Sequence, residues 1–225
     1  MRLVPLALLA IAGCAATDRL AMQLDVGAVA VPSSVPLTVA PDCDDGPPCG
    51  DVFDAGGGAR DGVAGRPSWG GGVAVLNGWR LLPRLHLDAG GAFEYAHVAL
   101  SPIGAFPVPG TPGVSYSAPG RGADLVYIGA PVELRWTIAS SWDLWAGVVP
   151  GFLAVSKQVF ASSGGSSTLD AGGPDVLGRV GIERSFDSDS YGVGIFGQVD
   201  PAGVFDGAFL TFNWHLGVDP KRALP

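Results

Sequence analysis

The stretch from Asp124 to Gly151 reads DLVYIGAPVELRWTIASSWDLWAGVVPG, and it alternates with a period of two. Val126, Ile128, Ala130, Val132, Leu134, Trp136 and Ile138 take every second position, and Glu133 and Arg135 stand between them. A period of two belongs to a strand, whose successive side chains point to opposite faces. One face of this strand is almost wholly apolar, and the other carries charges of both signs. In a soluble sheet the apolar face would be the inside. What covers it decides the class of the molecule.

The pattern recurs in about eight segments. The first, about Leu20–Val31, sets Leu20, Met22, Leu24, Val26, Ala28 and Ala30 against Gln23 and Asp25. The second, about Trp69–Arg80, is glycine-rich and weakly patterned. The third, about Arg84–Leu100, sets Leu85, Leu87, Ala89, Phe93 and Tyr95 against Arg84, His86, Asp88 and Glu94. The fourth is the opening stretch as far as Ile138, and the fifth runs from about Trp142 to Phe160. The sixth, about Val176–Phe186, sets Val176, Val180 and Ile182 against Arg179 and Glu183. The seventh is about Tyr191–Asp200. The eighth, about Gly207–Val218, sets Ala208, Leu210, Phe212, Trp214, Leu216 and Val218 against Thr211, Asn213 and His215.

Most of these segments exceed the usual strand of about five or six residues. They reach the roughly nine to eleven that a tilted strand needs to cross a bilayer. The connections alternate as well. Long or looser ones (about Pro32–Pro67, Ser101–Gly122, Ala161–Gly173 and Pro201–Asp206) are interleaved with tight ones at Leu81–Pro83, Ala139–Ser141 and Asp187–Ser190. Short turns on one side and long loops on the other are the asymmetry of an outer-membrane barrel, with the loops outside the cell. Trp79, Trp136, Trp142, Trp145 and Trp214 fall near the predicted turn end, where an aromatic girdle marks a membrane interface. Phe186 and Tyr191 bracket one of the turns.

Composition agrees with strands over helices. The 225 residues include 35 glycines and 19 prolines, and only 15% are charged, against about 25% in ordinary soluble domains. After residue 16 no apolar run reaches the length of a membrane helix. The net charge of -8 excludes a nucleic-acid partner, since no basic patch is available to neutralise phosphates.

The N-terminus, MRLVPLALLAIAGCAATD, has a basic Arg2, about ten apolar residues and small residues at its end, the layout of a secretory signal peptide. Its Ile11-Ala12-Gly13-Cys14 resembles the lipobox of bacterial lipoproteins, which implies lipidation at Cys14; the alternative is cleavage near Ala16 with Cys14 discarded. Cys43 and Cys49, in PDCDDGPPCGD, are placed to close a small loop disulfide in an oxidising compartment. The chain thus divides into a signal peptide over residues 1–16 and a single β-barrel domain over 17–225, with a long loop at about 32–67.

The VYIGAPVELRW, WDLWAGVVPGFLAV and FLTFNWHLGV segments together resemble the small eight-stranded outer-membrane barrels, the outer-membrane protein A-like group in the broad sense. The resemblance is one of pattern and covers most of the chain after the signal. It implies an all-β, eight-stranded, antiparallel up-and-down transmembrane barrel in the bacterial outer membrane. Such barrels commonly end on an aromatic residue, whereas Asp219–Pro225 follow the last segment here, and a lipobox ahead of a barrel is unusual.

A barrel of eight strands has an interior that side chains fill. The face opposite the apolar one carries Gln23, Asp25, Arg84, His86, Asp88, Glu94, Glu133, Arg135, Arg179, Glu183 and His215. Mixed signs predict pairing inside the barrel, with Glu133 and Arg135 each meeting charges from other strands, and a polar plug in place of an open pore. The expected role is a non-enzymatic scaffold or surface-interaction protein. Its partners would be outer-membrane lipid and a ligand or protein met through the loops.

No cofactor or metal site is expected. The glycine-rich GGGAR and WGGGVAV lack a phosphate-loop pattern, and His86, His97 and His215 lack ligand spacing. The acidic loop with Asp42, Asp44, Asp45, Asp51 and Asp54 lacks the terminal Glu of a calcium loop. His97, on the apolar-facing side of its segment, invites comparison with outer-membrane lipid A acyl hydrolases, but Ala99 stands where their serine would be. The rival reading is a lipid-anchored periplasmic β-barrel or sandwich that binds an apolar ligand. Under that rival, replacing Cys14 by Ser yields a soluble, monodisperse protein in gel filtration; the barrel reading expects aggregation without detergent.

Overall fold

The computed structural model describes residues 19–30, 38–39, 53–54, 68–99, 103–107, 113, 115–118, 122–164, 166–186, 191–201 and 205–216. Its strands are β1 (Arg19–Ala30), β2 (Thr38–Val39), β3 (Phe53–Asp54), β4 (Ser68–Leu82), β5 (Leu85–Ala99), β6 (Ile103–Pro107) and β7 (Ser115–Ala118). They continue with β8 (Gly122–Gly129), β9 (Val132–Ala139), β10 (Trp142–Ala161), β11 (Ser166–Phe186), β12 (Tyr191–Val199) and β13 (Asp206–Leu216). The predicted signal peptide, Cys14, Cys43 and Cys49, most of the 32–67 loop and the tail after Leu216 lie outside the described residues.

Each long strand pairs antiparallel with its neighbour, from β1 through β4, β5, β8 with β9, β10, β11 and β12 to β13. β13 then pairs back to β1, from Leu20↔Leu216 to Ala30↔Asp206. The sheet is a closed, antiparallel, eight-stranded barrel, because β8 and β9 act as one strand. They are separated only at Ala130 and Pro131, where proline has no N–H for the ladder. The register crosses the gap without slipping: Gly129 faces Ala92 and Val132 faces Ala89. Two backbone bonds keep the gap stitched, from Ala130 N–H to the Pro150 carbonyl (2.8 Å) and from Gly90 N–H to the Pro131 carbonyl (3.1 Å).

Burial runs inside out. Val132, Leu134 and Trp136 are 41%, 49% and 54% exposed, while Glu133 and Arg135 between them are each 1% exposed. The same alternation exposes Met22, Leu24 and Val26 and buries Gln23 and Asp25. The tight turns Pro83–Arg84 and Ser140–Ser141 lie at one end of the barrel.

At the other end one wall continues beyond the barrel. β10 and β11 stay paired out to Phe160↔Ser166. β7 joins β10 at Phe160 and Ala161, and β6 joins β7. On the far side β2 joins β11 at Leu169 and Asp170, and β3 joins β2. The resulting sheet has the order β6-β7-β10-β11-β2-β3. The sequence predicted a Ser/Gly loop over about Ala161–Gly173; β11 instead begins at Ser166. Above the apolar belt a strand has no hydrocarbon to face, so its sequence has no reason to alternate, and composition alone reads as loop.

A barrel this narrow brings backbones close together. A methyl group at Gly90 would stand 1.8 Å from the Val75 carbonyl oxygen. Gly90→Ala should lower the unfolding free energy in micelles by about 1–3 kcal/mol, the usual cost of overpacking, read from urea titration of the folded gel band.

Candidate functional site: the barrel lumen and its outer rim

The inward-facing side chains form two zones. Toward the turn end they are charged and amide-bearing, contributed by nearly every strand. Arg135 of β9 is the hub. Its Nε donates to Asp88 Oδ2 of β5 at 3.0 Å, and its Nη1 donates to Glu183 Oε2 of β11 at 2.5 Å. The same Nη1 lies 3.9 Å from Asp143 Oδ2 of β10, which accepts at its other oxygen from Thr137 Oγ1 at 2.7 Å. Arg19 of β1 also pairs with Asp88. Asn213 Nδ2 donates to Glu183 at 2.8 Å, and His215 Nε2 lies 3.4 Å from the other Glu183 oxygen.

A second knot stands higher in the lumen. Arg179 pairs with Glu94 and donates from Nε to Gln198 Oε1 at 2.8 Å; Gln198 Nε2 then donates to Glu94 Oε2 at 3.1 Å. Pairing across strands is what makes buried charge tolerable, since an isolated buried ion costs several kcal/mol. Asp25 accepts from Gln23 at 2.9 Å, and His86 is buried on the same inward face. Glu133 differs from the expectation. It is buried across from Asp88, yet neither of its oxygens has a hydrogen-bond partner among the described residues.

The loop-side zone is apolar, which the sequence reading missed. Val29, Ala96, Val98, Leu125, Tyr127, Val149, Leu153, Leu177, Phe205 and Phe209 are buried together there. An aromatic chain links the zones, with ring centroids 5.4 Å apart from Trp145 to Phe196 and 4.9 Å from Phe196 to Phe209. Arg135 lies 5.8 Å from the Trp145 ring and Arg179 5.3 Å from the Phe196 ring, so a buried guanidinium flanks the aromatic chain at each of these two rings. Phe205 caps the lumen beside Tyr127. Its N–H donates to Asp200 Oδ2 at 3.1 Å, and its carbonyl accepts from Gln198 Nε2 at 3.4 Å. The signal for this layer was present. Leu125 and Tyr127 have the parity of Glu133, and Phe209 that of Thr211.

Two predicted positions fall elsewhere. Arg84 is in the tight turn and exposed, because inward alternation starts only after the turn closes at Leu85. Trp145 is 1% exposed inside the lumen and takes no part in the girdle. It lies three residues from Trp142, an odd step that reverses the face; nearness to the turn had hidden this. Trp136, Trp142 and Trp214 do face outward near the turn end, and Trp79 is half-buried there. Arg19, Asn77, Asp143, Gln198, Thr211 and Asn213 join the lumen beyond the charged residues picked out by sequence.

On the outer face near the loop end, Asp124 Oδ1 accepts from Tyr95 Oη at 2.7 Å and lies 2.8 Å from His97 Nδ1. Ser156 sits across from Asp124 on the side away from His97. The row therefore runs imidazole, carboxylate, hydroxyl. Nucleophilic catalysis needs the imidazole beside the hydroxyl. Among the described residues no group of His, Cys, Asp and Glu is arranged to hold a metal.

No family model and no curated protein matches this sequence. Solved structures do. Ail, the attachment invasion locus protein of Yersinia pestis, is 10% identical, with a TM-score of 0.43 over 88% of this chain and 99% of its own. Neisserial surface protein A is 11% identical, with a TM-score of 0.40 over 88% and 96%. The N-terminal β-barrel domain of Pseudomonas aeruginosa OprF is 10% identical, with a TM-score of 0.36 over 87% and 97%. The likeness is one of fold, and the closed strand pairing of this chain defines its architecture independently.

The hub gives a contrast between neighbours. Arg135→Leu should cost about 3–5 kcal/mol, since it takes the guanidinium from buried Glu183 and leaves Asp88 with Arg19 alone. Glu133→Gln, at a carboxylate with no hydrogen bond to lose among the described residues, should be neutral or stabilising. Urea midpoints of the two variants in the same micelles check the ordering.

Proposed function

We propose that this chain is an outer-membrane barrel that serves as a non-enzymatic scaffold, carrying its loop-end sheet outside the cell as an interaction surface. The observation that carries the reading is the lumen. Charged side chains predominate in its turn half and aromatic and aliphatic ones in its loop half, with Tyr127, Leu125 and Phe205 having no exposed surface. A continuous water path would need polar walls and free width, and eight strands enclose little. The inside-out belt supports the membrane assignment. At about 3.3 Å per residue and a tilt of about 40°, β5 from Leu85 to His97 climbs about 30 Å, close to a hydrocarbon thickness.

The six-stranded sheet β6-β7-β10-β11-β2-β3 is then what the barrel holds clear of the membrane. Its partner is a ligand or protein that the loops meet. The protein should fractionate with outer membranes and migrate faster on gels before boiling than after. In planar bilayers it should give no stepwise conductance. Release of the chain by high salt without detergent would overturn the membrane reading, and regular conductance steps would overturn the sealed scaffold.

A further inference from the structure

Charge on the outer face is sparse and sorted by height. Among the described residues with described side chains, the outward strand positions carry His97, Asp124, Asp206 and Arg184. The first three lie toward the loop end, Asp206 being paired with Ala30, the last residue of β1. Arg184 alone is at the turn end, two residues before β11 finishes at Phe186 and directly across from Trp142, the first residue of β10.

Its surroundings hold it in place. The guanidinium carbon lies 5.7 Å from the Trp142 ring centre and 5.1 Å from that of Phe186, and Phe186 stacks on Tyr191 at 5.6 Å. Contact with two rings holds the planar group and covers its stem. The buried arginines spend their donors on carboxylates, Arg135 on Asp88 and Glu183 and Arg179 on Glu94. Arg184 is exposed and has no carboxylate partner among the described residues. Toward the barrel's middle the surface becomes apolar at once, with Leu144 and Val180 exposed.

A planar cation at the edge of an apolar belt matches one chemistry, a phosphate joined to acyl chains. The fork suits phosphate oxygens in a bidentate contact, and Leu144 and Val180 give the chains a surface to lie on. We propose that Arg184, held against Trp142 and Phe186, is a binding site for the headgroup phosphate of an anionic glycerophospholipid in the leaflet at the turn end. The site rests on the membrane reading above.

The test uses the full chain folded in neutral micelles, titrated with phosphatidylglycerol or phosphatidylcholine and read by native mass spectrometry. Wild type should prefer the anionic lipid. Arg184→Gln should weaken its first bound phosphatidylglycerol about tenfold, the loss of one charge-assisted contact, with phosphatidylcholine unchanged. Arg184→Lys, which keeps the charge without the fork, should fall between the two and still reports if the glutamine variant does not fold. Equal phosphatidylglycerol affinity in wild type and the folded variants overturns the site, as does a wild type without preference. Both results leave the barrel standing if the unboiled chain runs as the compact band. A wild type that never forms that band overturns the membrane reading, and the site with it.

Discussion

The seam between β1 and β13 is the constraint on which the rest depends. In hydrocarbon a backbone N–H or carbonyl without a partner costs several kcal/mol, so a sheet that crosses a membrane must have no open edge. The antiparallel ladder from Leu20↔Leu216 to Ala30↔Asp206 removes both edges at once. Closure then dictates the sequence. Each strand gets one face toward lipid and one toward a narrow interior, and the period of two follows. It also explains why Pro131 is tolerated: the ladder loses one donor, and Ala130 and Gly90 are tied across the gap by backbone bonds to Pro150 and Pro131.

The interior solves two packing problems with different chemistry. At the turn end the volume is filled by long charged side chains, held in register by shared partners; Asp88 serves both Arg19 and Arg135, and Glu183 serves both Arg135 and Asn213. Sharing ties separate strands together at a fixed height, a specificity that apolar packing alone would not give. At the loop end the same task falls to rings and branched aliphatics, a small conventional core within an inverted protein. The two are joined where Arg135 and Arg179 lie against Trp145 and Phe196.

The sequence showed most of the barrel wall because lipid makes a period of two hard to miss. Segment bounds came within a few residues wherever apolar residues alternate, as in β1, β9, β12 and β13. It failed where that pressure stops. The start of β11 rises past the belt and reads as a Ser/Gly loop. The lumen was half legible. Charges such as Glu94 and Arg179 stand out against an apolar run, whereas Leu125, Tyr127 and Phe209 are inward-facing but apolar, so hydropathy cannot tell them from their lipid-facing neighbours. Only parity could, and parity also separates Trp145 from Trp142.

The lengths of the ladders have a consequence for how the chain assembles. β10 and β11 pair from Phe160↔Ser166 to Trp142↔Arg184 around a turn of a few residues, so their loop-closure entropy is small and is paid once for the longest ladder in the sheet. The β1–β13 seam joins segments from opposite ends of the described chain and gains nothing from local contacts until the intervening strands are in place. Such non-local pairings dominate the folding time of β proteins. The hairpin that rises highest above the belt thus gains the longest ladder for one local closure, and the seam that makes the barrel possible is the least local pairing in it.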